Sequence, residues 1–171
     1  MKSKLLESLA AHELVMWRPN LAEILPVQVS EGFRLRPFGP GSVADWVRIH
    51  ELADPDNNPD AALHERQFGS DLGLLAARQF FLETTSGQAV GTSSAWFLDD
   101  KDEGNWGRVH WVAILPEYQG RGLAHPLLAQ TLVTLKKLGH SRTFLTTDQA
   151  RVAALGLYRR HGFKTFSGAE D

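Results

Sequence analysis

Apolar positions along the chain switch repeatedly between a helical and a strand-like spacing. From Lys4 to about Trp17, Leu5, Leu6, Leu9, Ala10, Leu14 and Trp17 recur at helical intervals behind Ser3, a residue suited to cap a helix N-terminus, and predict one short amphipathic helix. Pro19, Asn20 and Pro26 interrupt that pattern, so residues 1–31 read as an extension lying on a domain or a partner, and residues 32–171 as the domain. The domain opens on a strand at residues 33–36, closed by the turn formers Pro37, Gly39, Pro40 and Gly41. A helix from Ser42 presents Val43, Trp46, Val47, Ile49 and His50 on one face and stops in the Pro/Asn-rich run 54–60. A second helix over 61–79 is broken or weakened by Gly69 and Gly73.

Residues 80–84 and 89–98 form a predicted hairpin across Thr85-Ser86-Gly87-Gln88, and 99–105 is a polar loop. There follow a long strand (106–115), a long helix (123–138), a strand (143–147), a helix (151–161) and a last short strand (163–166). The order β-α-α-β-β-β-α-β-α-β predicts an α/β fold of α+β type, a mixed sheet with helices on both faces. Along strand 106–115, simple alternation puts Arg108, His110, Val112 and Ile114 on one face and Val109, Trp111, Ala113 and Leu115 on the other. Both faces are apolar towards its C-terminal end, as in a central, buried strand.

Composition narrows the functional classes. Lys plus Arg number 18 against 20 for Asp plus Glu, so there is no broad electrostatic footprint for nucleic acid or an anionic membrane. The absence of cysteine removes disulfides, thiolate zinc sites and a catalytic thiol, and no metal is expected. Glu7, His12 and Glu13 interrupt any apolar run near the N-terminus that could serve as a signal peptide or membrane span, so a cytoplasmic protein is the expectation.

The chemistry concentrates after the central strand. Pro116 ends it, and Gln119-Gly120-Arg121-Gly122-Leu123-Ala124 leads directly into the long helix, where Pro126 costs no internal hydrogen bond because it lies in the first turn. The N–H groups of that turn have no helical partner and the helix dipole adds about half a positive charge, which suits a pyrophosphate. A P-loop would need Gly-Lys-Ser/Thr and a dinucleotide fingerprint a third glycine, and neither is present. An anion cradle and a purely structural strand-to-helix turn stay open on these residues alone.

Gln119-x-x-Gly122-x-Ala124 resembles the acetyl-CoA motif of the GNAT superfamily of N-acetyltransferases, and the stretch from Ala154 through Leu157-Tyr158 to Gly162-Phe163 resembles that family's second signature. The resemblance implies a mostly antiparallel sheet of about six strands, splayed at its central strand, and transfer of acetyl from acetyl-CoA to an amine on a small molecule or peptide. It also implies that Val112, Ala113, Ile114, Gln119, Gly120, Arg121, Gly122, Leu123, Ala124 and His125 bind the co-substrate. Tyr158 would act as general acid on the leaving thiolate; an aromatic packed on the core beside Leu155 is the alternative. His110, on the face read as that of Val112 and Ile114, is the candidate general base, with a structural or surface histidine as the alternative. Arg151 replaces an asparagine common in the family and either pairs with a CoA phosphate or sits at a solvated helix start. Asp54, Asp56 and Asp60 would suit a cationic acceptor or serve only as turn formers. No strand of the family's usual kind fits after Phe166, so the N-terminal extension, or a second copy in a homodimer, is expected to cover the sheet edge. A catalytically inactive acyl-CoA sensor with the same fold is the competing function.

Overall fold

The computed structural model describes residues 3–98 and 105–167. In chain order these form α1 (Lys4–Ala10), β1 (Leu14–Arg18), β2 (Phe33–Pro37), α2 (Ser42–Ala53), α3 (Ala61–Phe68), α4 (Leu72–Arg78), β3 (Gln79–Thr84), β4 (Ala89–Phe97), β5 (Trp106–Ile114), α5 (Ala124–Lys137), β6 (Arg142–Thr147), α6 (Val152–Arg160) and β7 (Lys164–Thr165). Single 3-10 turns follow α2 and β5, at Pro55–Asn57 and Pro116–Tyr118. The strands form one mixed sheet in the order β2-β3-β4-β5-β6-β1-β7. Of the polar loop expected at 99–105, all but Asn105 lies outside the described residues. The chain divides into two compact units, one from residues 1–25, 95–110 and 132–171, the other from 26–94 and 111–131.

In the first unit the N-terminal helix is shorter than its spacing suggested. Ser3 caps it, its Oγ accepting from Leu6 N at 3.2 Å, but it ends at Ala10, and Leu14–Arg18 is a strand. Leu14 and Trp17, three apart, fit a helical face, whereas the continuous apolar run Leu14-Val15-Met16-Trp17 also fits a buried strand, and the tertiary partners decide. β1 pairs antiparallel with β6 from Leu14↔Thr147 to Arg18↔Thr143, and antiparallel with β7 through Met16↔Thr165 and Trp17↔Lys164. The sheet therefore has seven strands among the described residues, against the six or so expected, because a segment read as helix supplies one. Arg18 locks this arrangement: its guanidinium donates to the carbonyls of Asn20 (2.9 Å), His161 (2.7 Å) and Glu23. The core around it joins Leu6, Val15, Trp106 and Phe144, with Trp17 and Phe144 each edge-on to the Trp106 ring. Each such side chain, fully buried, stabilises the fold by roughly 1.5–3 kcal/mol.

β5 and β6 run parallel only from Trp106↔Arg142 to Arg108↔Phe144. Among the described residues no β5–β6 pairing continues beyond that point, although β5 extends to Ile114 and β6 to Thr147. The pairing of β5 with β6 thus ends before Val112, where the family resemblance calls for a splay.

The second unit is built on the meander β2-β3-β4, with Phe33↔Thr84 and Pro37↔Phe80 bounding one register and a bulge between Leu82 and Glu83 in the next. Glu83 is buried and receives Arg34 Nε and Arg36 Nε, each at 2.6 Å. Burial pushes its pKa up, but the hydrogen bonds and charges of Arg36 and Arg34 outweigh it and hold the carboxyl below its ordinary value. The long helix expected at 61–79 is two helices, since Gly69 takes φ +74° at the end of α3 and Asp71 starts α4 by accepting from Leu74 N. Gln79 belongs to β3 and links two elements, its Oε1 accepting from His64 Nε2 at 3.0 Å and its Nε2 donating to Ser94 Oγ at 3.0 Å. Gly91 of β4 lets the sheet meet α5, because a Cβ there would overlap Ile114 Cδ1 and come within 3.0 Å of Leu127 Cδ1.

Candidate active site

In the second unit, β5 ends at Ile114, Leu115 N donates to Val90 O at 2.8 Å, and Pro116–Tyr118 makes one 3-10 turn. Gln119 is extended, and its side-chain Nε2 reaches back to Ile114 O at 2.9 Å, tying the turn to the end of the strand. Gly120 and Gly122 both take φ +73°, a conformation L side chains rarely adopt. A Cβ on Gly120 would meet nothing within 4 Å, and one on Gly122 only His125 Cδ2 at 3.9 Å, so both glycines open onto space rather than onto protein. His125 N bonds back to Gly122 O at 3.2 Å. Apart from Arg121, whose N–H closes the turn over residues 119–120, the N–H groups from Gly120 to Ala124 make no main-chain hydrogen bond to a described residue, and they stand at the N-terminus of the 14-residue α5. Such a row of donors at a helix start can receive an anion. Leu123 and Pro126 are buried and fix the helix start, while Arg121 lies 5.4 Å from the ring centres of both Phe33 and Tyr118. A diphosphate with its own negative charge fits this donor set.

Val112, Ala113 and Ile114 lie on the length of β5 that β6 does not pair. Just before them, Trp111 has φ +53°, inside a strand. That residue interrupts the alternation of β5, so counting positions cannot place His110 on the face of Val112 and Ile114, as the sequence pattern suggested; the count assumed a regular strand. Trp111 was also missed as a special position, since nothing in its residue type announces a left-handed backbone.

The first unit carries the other candidates. Tyr158, on α6, is 7% exposed and packs edge-on to Phe163 at 6.1 Å. Burial raises its hydroxyl pKa to about 12, against an opposing pull from the Arg151 charge. Arg151 is exposed at the start of α6. Gly162 ends that helix at φ +84°. His110 is buried.

Other carboxylates are accounted for locally. Glu83 is held by two arginines, Asp148 accepts from Ala150 N, Asp60 caps α3 through Leu63 N, and Asp54 accepts from Asn57. The acidic run after α2 is thus largely turn and cap chemistry. Among the described residues no group of three or more His, Asp or Glu could hold a metal ion, and no helix is long and apolar enough to cross a membrane.

The sequence model of the acetyltransferase (GNAT) family matches residues 44–163, which contain both the cradle and Tyr158. A mycothiol acetyltransferase from Thermobispora bispora is 30% identical over 160 residues, covering 86% of this chain and 52% of that protein. The chain spans about half the length of the curated relatives it matches. Among solved structures, a GCN5-related N-acetyltransferase from Sphaerobacter thermophilus superposes with a TM-score of 0.71 at 22% identity, over 95% of this chain and 53% of that one. AAC(6')-Iy, solved with a bisubstrate analogue of CoA, superposes at 0.61 with 16% identity, over 81% of this chain and 94% of that one. The structural likenesses show the fold, and the family match, covering well over half of the chain, shows the membership: this chain belongs to the GNAT acetyltransferase family.

Proposed function

We propose that this chain is an acetyl-CoA-dependent N-acetyltransferase that passes the acetyl group directly to a primary amine on a small molecule or peptide. The run of N–H groups from Gly120 to Ala124, most of them without a main-chain partner among the described residues, at the start of α5, carries the reading. These donors and the helix dipole take the pyrophosphate, and Gly120 and Gly122 allow it to approach the main chain without meeting a side chain. Gln119, Arg121 and His125 border that cradle, and Arg151 is the proposed further contact for a CoA phosphate. The N–H groups along Val112 to Ile114 are free of β6 and are the proposed donors to the thioester oxygen, where negative charge develops as the amine attacks. The amine loses its proton, proposed to pass to His110, and the C–S bond breaks as the C–N bond forms, with the Tyr158 hydroxyl donating to the leaving thiolate. The relatives named mycothiol acetyltransferases support mycothiol chemistry as the first acceptor class to test.

The test is release of CoA from acetyl-CoA across a panel of amines, coupled to calorimetry on Gly122→Val. A side chain there meets almost no protein atoms, so the variant is expected to stay folded, with the strain of a left-handed valine, and to lose at least about a hundredfold in CoA affinity. Wild-type affinity in that variant would exclude the cradle as the CoA site.

A further inference from the structure

Among the described residues only two non-glycine positions have positive φ. Asn58, at φ +47°, closes an exposed turn after α2, where asparagine tolerates the left-handed region. Trp111 is different, because a bulky aromatic at φ +53° inside a strand is a strained residue, and such strain persists only where the surroundings over-determine it. Those surroundings are visible. The Trp111 indole N–H donates to Gln67 Oε1 of α3 at 3.1 Å. Its ring lies 5.1 Å from Trp46 and 5.0 Å from His50, both edge-on, and these two pack against each other at 4.5 Å. Trp46 and His50 are fully buried on α2, and Phe68 and His64 of α3 back Trp46 in turn. The left-handed residue therefore stands on an aromatic wall, immediately before the strand segment 112–114 that β6 does not pair.

A left-handed residue in a strand turns the following peptide planes out of the regular ladder, as a bulge does. We propose that the Trp111 side chain, clamped by Gln67, Trp46 and His50, is a positioning residue that holds this backbone and so sets the direction of the Val112 to Ile114 N–H groups towards the thioester oxygen. The inference rests on the acetyl-transfer reading above and deepens it: the donors for the reaction are oriented by an aromatic anchor on α2 and α3, with no contact to substrate required of that anchor. Glycine would adopt the backbone unaided, whereas any other residue without the indole would let it relax.

The experiment compares Trp111→Ala, Trp111→Gly, Gln67→Leu and Gln67→Glu in the full chain, reading kcat, KM for acetyl-CoA, CoA affinity by calorimetry and the thermal midpoint. Trp111→Ala is expected to lose about a hundredfold in kcat, the scale of one lost oxyanion donor, with CoA affinity within about threefold of wild type. Trp111→Gly should recover at least about tenfold over alanine, because it supplies positive φ without the anchor. Gln67→Glu, which still accepts the indole N–H, should likewise exceed Gln67→Leu. Alanine equal to or faster than glycine overturns the proposal, since a lost side-chain contact with substrate would affect both alike. If the wild-type chain shows neither CoA binding nor turnover, the functional reading fails and the midpoints decide the anchor: glycine at least as stable as alanine upholds it. Alanine the more stable, as at an ordinary strand position, overturns it.

Discussion

Replacing Tyr158 with phenylalanine removes one oxygen from a nearly buried site and leaves the packing against Phe163 in place. The hydroxyl pKa stands at about 12, whereas a free thiol lies near 8.5, so complete transfer of the phenolic proton to a CoA thiolate is uphill by about 3.5 units, or about 5 kcal/mol. Tyr158 should therefore act as a hydrogen-bond donor to the developing thiolate, with the thiol taking its final proton from solvent. That contribution belongs at the low end of acid catalysis, and the expected loss in kcat is about a hundredfold at most, with CoA affinity unchanged within about threefold. The same shift gives an independent check on stability. The folded chain holds the phenolic proton more tightly than the unfolded chain, whose tyrosine titrates near 10, so the stabilisation is complete below about pH 10 and is lost as pH rises through about 12. Two units correspond to about 3 kcal/mol. Urea unfolding at pH 8 and at increasing alkaline pH should show wild type losing stability relative to Tyr158→Phe, and released CoA, followed as free thiol, gives kcat. Unchanged turnover on a verified acceptor would refute the donor role, and parallel alkaline curves would refute the burial argument behind it.

Gly91→Ala should destabilise the fold by about 1–3 kcal/mol, because the new Cβ overlaps Ile114 and approaches the Ala113 carbonyl oxygen at 3.2 Å; an unchanged urea midpoint would contradict that packing. Glu83→Gln should cost about 1–3 kcal/mol at pH 7, discounted because Arg34 is largely exposed. The wild-type carboxyl titrates below its ordinary value, so its contribution is present above about pH 4.3 and lost as pH falls through the folded pKa; the variant should lack that acid dependence in unfolding curves. His110→Gln is expected to cut kcat/KM about a hundredfold and flatten the acidic limb of its pH profile, and a profile identical to wild type would remove His110 from the mechanism.

Features settled by neighbours in sequence were the ones legible in it. Ser3 caps α1, glycine turns occur at 120, 122 and 162, and α5 begins within a residue of its expected start, since each depends on a local backbone preference. The glycine turn before α5 was legible for the same reason: its residues are consecutive. β1 was not, because Leu14 to Arg18 satisfies two periodicities and only its pairing with strands near the far end of the chain selects one. The ion pairs of Glu83 were not legible either, because Arg34 and Arg36 reach it only through the pairing of β2 with β3.

By itself, then, the sequence determined the alternation of elements, the glycine turn that exposes a row of N–H groups, and the paired signatures of the family. Tertiary structure alone decided the place of β1 between β6 and β7, the left-handed Trp111 against α2 and α3, and the buried, proton-retaining hydroxyl of Tyr158. The division has a physical cause: turns and caps are governed by hydrogen bonds a few residues long, whereas strand order, strain and pKa depend on groups brought together from distant parts of the chain.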